Sequence, residues 1–66
     1  MINFIGMSKA LVERELETMG FQLKGVIFEN PRNICLEYRT STIVRTLEIT
    51  FQRKSDGLFC SLLRLY

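Results

Sequence analysis

The sequence predicts an α+β fold, one N-terminal helix packed on a four-stranded antiparallel β-meander, and three observations carry that expectation. Apolar residues recur near every 3.6 positions between Ser8 and Gly20 and near every two from Phe21 onward. Three turn signals then cut the second stretch into four runs of strand length. At 66 residues the chain has room for one domain, which would hide only ~60% of its unfolded surface, so a lone copy is expected to be marginal and self-association to be useful. The expected organisation is a single domain over 1–66: an apolar arm at 1–7, a helical segment at 8–20 and a meander at 21–66.

The helix comes first. Ser8 suits an N-cap, Gly20 suits the left-handed residue that ends a helix, and the residues between them are all helix-tolerant. Val12, Leu16 and Met19 share one face with Leu11 and Met7 nearby, while Lys9, Glu13 and Glu17 lie opposite at spacings of four. This gives a helix over 9–19 with a narrow apolar stripe.

The strands are expected at 21–29, 34–40, 43–53 and 58–66, separated by Asn30-Pro31-Arg32-Asn33, Thr40-Ser41-Thr42 and Ser55-Asp56-Gly57. A two-residue loop at Ser41-Thr42 would pair Thr40 with Ile43, Tyr38 with Arg45, Leu36 with Leu47 and Ile34 with Ile49. A three-residue loop at Ser55 to Gly57 would set Ile49 against Leu63, Leu47 against Leu65 and Glu48 against Arg64. Both registers match apolar partners on one face, which the helix would cover. The expected core is Leu11, Val12, Leu16, Met19, Phe21, Leu23, Ile27, Ile34, Leu36, Leu47, Ile49, Phe51, Leu63 and Leu65. Gly25, inside the first strand, suggests a bulge or space opposite Tyr38. Arg45 opposite Tyr38 reads as a cation stacked at the rim of the core.

These registers leave a second face carrying Lys24, Val26, Phe28, Cys35, Glu37, Arg39, Glu48, Leu58, Cys60, Leu62, Arg64 and Tyr66. A sheet with one helix on it normally alternates apolar and polar residues, yet the last strand is apolar on both sides. It is also an edge, with no proline or inward charge to blunt it. The arm around Ile2, Phe4 and Ile5, a second copy of the chain, or another protein would each cover it.

The residue inventory argues against catalysis. There is no His, hence no common general base or nitrogen ligand, and two Cys with scattered carboxylates offer no metal-ligand spacing. The four glycines are isolated, so no phosphate-binding loop is present. Cys35 and Cys60 would sit about 10 Å apart, two strand spacings, and read as free thiols in a reducing, cytoplasmic setting. Neither a cofactor nor a metal is expected, and no run is long enough to span a bilayer.

The expected function is therefore that of a small non-enzymatic interaction protein, homo-oligomeric and able to hold another protein through the open sheet face and last strand. By analogy, compact motif-poor chains of this kind serve as inhibitors, antitoxins, immunity factors or phage modulators. The expected interface is Phe28, Arg39, Leu58, Leu62, Arg64 and Tyr66, apolar anchors rimmed by Arg. The alternative is nucleic-acid or nucleotide binding through Lys24, Arg39 and Arg64. The net charge of +2 is too small to favour it, and Glu37 and Glu48 fall among the same cations.

Overall fold

The computed structural model describes residues 3–40 and 45–66, and within them the order is one helix followed by four strands. Helix α1 spans Lys9–Thr18, and strands β1 (Phe21–Glu29), β2 (Asn33–Thr40), β3 (Thr46–Lys54) and β4 (Gly57–Leu65) form one antiparallel sheet in the order β1-β2-β3-β4. The expected α+β meander is the fold observed.

The helix begins and ends where its caps dictate. The Ser8 side chain accepts a hydrogen bond from the Leu11 N–H, and Gly20 follows the C-cap at a φ of 83°. Val12 and Leu16 are the helical side chains that reach full burial. Leu11 and Met19, expected in the core, stay 48% and 40% exposed, because ten residues of helix present only a narrow stripe to the sheet. Helix and sheet are also joined by a polar contact: the Tyr38 hydroxyl donates to Glu13 Oε2 at 3.3 Å, and Lys9 Nζ donates to the same oxygen at 3.0 Å.

Across the covered face the residues stand in rows. Leu23, Tyr38, Leu47 and Leu65 form one row, and Val26, Leu36, Ile49 and Leu63 the next. The members on β2 and β3 are buried, while Leu23, Val26 and Leu65 on the outer strands remain about half exposed. The helix contacts β1 and β4, where Phe21 and Cys60 are buried, and leaves Leu23, Val26 and Leu65 open. Leu23, Ile27 and Leu65 therefore fall outside the core expected from sequence, and Phe4, Tyr38 and Cys60 join it.

Strand pairing departs from expectation in the β2–β3 register, at the β3–β4 turn and in β1. Between β2 and β3, Tyr38 lies opposite Leu47, Leu36 opposite Ile49 and Ile34 opposite Phe51, two residues away from the pairing a two-residue loop would give. Arg45 is exposed opposite Thr40 and does not meet Tyr38; the expected Thr40–Ile43 pair lies outside the described residues. Between β3 and β4 the expected pairs Ile49–Leu63, Leu47–Leu65 and Glu48–Arg64 all stand. The turn, however, is a two-residue loop with Lys54 opposite Gly57, and the extra residue enters as a bulge at Ser61. In β1, register shifts at Lys24 and Ile27 place Gly25 opposite Glu37, Val26 opposite Leu36 and Phe28 opposite Cys35.

The N-terminal arm pairs with the outer edge of β4. Gly6 N–H donates to the Cys60 carbonyl and Cys60 N–H to the Met7 carbonyl, both at 2.8 Å, and Ser8 bridges to Phe59. Phe4 is thereby drawn into the core, 6% exposed. No helix among the described residues is long and apolar enough to cross a membrane.

Burial first, then the Glu13 charge and the hydrogen bond to it, push the Tyr38 hydroxyl well above the ordinary tyrosine value. The folded chain then holds this proton more tightly than the unfolded chain does. Its stabilisation is full below pH ~10 and fades as pH rises through the unfolded value toward the folded one. Thermal melts above about pH 10 should show a steep fall in Tm, shallower in Tyr38→Phe; equal slopes would remove Tyr38 from the explanation.

Candidate interaction surface

On the face away from the helix, alternation along the strands brings forward Phe28 from β1, Cys35, Glu37 and Arg39 from β2, Glu48 and Thr50 from β3, and Leu62 and Arg64 from β4. The two outer bulges shape this face. Ile27 is the extra residue between Val26 and Phe28, and Ser61 the extra one between Cys60 and Leu62. Bulges bend a strand and re-aim its side chains, and here they flank an open cavity of about 350 Å³. Ile27 and Phe28 line one side, Leu62 and Arg64 the other, and Cys35 and Thr50 lie between them on the central strands.

The polar chemistry of the face is largely self-satisfied. Arg39 Nε donates to Glu37 Oε2 at 2.7 Å. Glu37 lies opposite Glu48, Glu48 opposite Arg64, and the Tyr66 hydroxyl donates to Glu48 Oε1 at 3.3 Å. The charges thus run Arg39, Glu37, Glu48, Arg64 across three strands, cations outside and carboxylates within. Lys24 falls at the β1 register shift, and Glu37 and Glu48 stand between Arg39 and Arg64. Among the described residues no group of three or more Cys, Asp and Glu side chains converges in a way that could hold a metal ion.

Of the residues expected at the interface, Phe28, Arg39, Leu62, Arg64 and Tyr66 share this open face. Leu58 does not: the β4 bulge reverses the alternation before Leu62, so Leu58 and Cys60 point to the helix side and pack on the core. Val26 likewise shares the row of Leu36, not the open face. Cys35 and Cys60 lie on opposite faces, both buried and both free. Burial pushes the Cys60 thiol up from its ordinary value, outweighing the opposing influence of the Leu62 backbone. Ile27 and Ser61 were the contributors sequence patterning missed; the unbroken apolar run Val26-Ile27-Phe28 was the trace of a bulge.

The second feature of the surface is an edge. The arm takes the outward backbone groups of Cys60. Beyond the bulge, Tyr66 N–H donates inward to the Thr46 carbonyl at 2.8 Å, so antiparallel alternation turns the N–H and C=O of Leu63 and Leu65 outward, with no partner among the described residues.

No protein-family model, no curated protein and no solved structure matches this chain.

The cross-strand neighbour of Cys35 on this face is Phe28, itself 46% exposed. Removing that ring in Phe28→Ala should speed alkylation of Cys35 by iodoacetamide about tenfold and leave Cys60 unchanged, as read by mass spectrometry. Equal slowness of both thiols in the variant would show that Phe28 does not shield the cavity.

Proposed function

We propose that this chain is a non-enzymatic protein-binding module that associates through the open sheet face and the second half of β4, with its own copies as first partner. The observation that supports this reading is the combination of Phe28, Leu62 and Tyr66, three large side chains about half exposed or more on one open face, beside a strand edge that is unpaired among the described residues. Clustered apolar anchors rimmed by charge are the composition of protein interfaces. The Arg and Glu pairs at the centre of the face give register without net attraction for a polyanion.

The test substitutes Leu62, which is exposed and carries none of the core. Light scattering across a concentration series should show reversible association of the wild-type protein and at least tenfold weaker association of Leu62→Glu, with an unchanged far-UV spectrum; tenfold corresponds to about 1.4 kcal/mol. Unaltered association of the variant would remove the open face from the interface. A peak carrying excess absorbance at 260 nm would replace the reading with nucleic-acid binding.

A further inference from the structure

The segment of β4 that is free among the described residues has a length and a boundary, and these select a partner. Its inner limit is Cys60, whose outward N–H and C=O are held by Met7 and Gly6. Past the Ser61 bulge, only Leu63 and Leu65 turn backbone groups outward among the described residues. Strand β1, at the other edge, carries two register shifts and the Lys24 charge, which are the usual means of discouraging edge pairing. Beyond Ser61, β4 has no register shift, and its one charge is Arg64.

Resting on the reading above, we propose that a second copy of this chain occupies that edge, β4 running antiparallel to β4 about a two-fold axis at Arg64, so that each Leu63 pairs with Leu65 of the other copy. Two observations converge on this register. Moved one step toward the arm, about an axis at Leu63, it would bring Tyr66 of the second copy against Cys60, where the edge is already taken. At Arg64 the arm and the incoming strand divide the edge between them, the arm beside Leu58 to Cys60 and the second copy beside Leu62 to Tyr66.

Side chains agree with this arrangement. On the helix side, the row Leu23, Tyr38, Leu47, Leu65 runs on into Leu63, Ile49, Leu36 and Val26 of the second copy, covering the half-exposed Leu65 with Leu63. On the open side, Leu62 meets Tyr66 across the new ladder, an aliphatic–aromatic pair. The two copies of Arg64 face each other on the axis, each still opposite its own Glu48. That juxtaposition opposes the dimer, and it gives the proposal a sign that other interfaces lack.

Because Leu63 and Leu65 form the hydrogen-bonded pairs, the two Arg64 positions form the close, non-hydrogen-bonded pair, with Cα atoms about 4.5 Å apart, within disulfide range. Arg64→Cys, with oxidised glutathione, should therefore yield a covalent dimer bridged 64 to 64 by peptide mapping, whereas Leu62→Cys alone should not bridge to itself. Arg64→Gln should tighten association several-fold by light scattering, and added salt should tighten the wild-type dimer. Leu65→Pro, which removes an outward N–H but no bond to β3, should raise the dimer Kd at least tenfold. If Leu65→Pro and Arg64→Gln leave association unchanged and Arg64→Cys does not bridge, while Leu62→Glu still abolishes it, the edge arrangement is wrong and the open face alone is the interface. A wild-type chain that stays monomeric at every attainable concentration would overturn both.

Discussion

The extra residue at Ser61 determines how the rest of the molecule is used. Before it, β4 turns Leu58 and Cys60 toward the helix and lends the backbone of Cys60 to the arm; after it, Leu62, Arg64 and Tyr66 come to the open face and the backbone of Leu63 and Leu65 turns outward. One inserted residue in a period-two pattern reverses every side chain beyond it. A strand that is apolar on both sides can accept this reversal without burying a charge, which explains why Gly57–Leu65 lacks clean alternation. Its first half needs Leu58 and Cys60 inside, and its second half needs Leu63 inside with Leu62 out.

From this follows the uneven burial of a small sheet. The central strands are buried and parts of β1 and β4 stay half open, and the arm repairs one margin in part by inserting Phe4 and pairing with Cys60. With few residues available for a core, the described residues complete the middle of the sheet and leave the end of β4 uncovered. Such an arrangement suits a module whose remaining apolar surface is matched by a partner.

Much of this was legible in the sequence, for reasons that differ by element. Ser8 and Gly20 bracket the helix because capping chemistry is local, and the pairs Ile49–Leu63 and Glu48–Arg64 were readable because they satisfy both faces together. The β2–β3 register was not: a slide of two residues keeps every side chain on its own face, so Ile34 and Leu36 find apolar partners in either alignment, and loop length decides. Bulges were the other loss. Gly25 hinted at one, but those at Ile27 and Ser61 sit inside apolar runs where a change of parity leaves no polar residue out of place. For that reason Phe28, Leu62, Arg64 and Tyr66 could be grouped correctly while Leu58 was assigned to the wrong face.

Pairing of the outer edge of β4 as far as Cys60, with an open edge beyond it, is tested most directly by amide hydrogen exchange followed residue by residue at two protein concentrations. The Cys60 amide, bound to the Met7 carbonyl, should be protected at both; those of Leu63 and Leu65 should exchange freely when dilute and become protected when concentrated. Protection of Leu63 and Leu65 that does not change with concentration would mean that the chain covers this edge itself, and would contradict a second copy as its occupant.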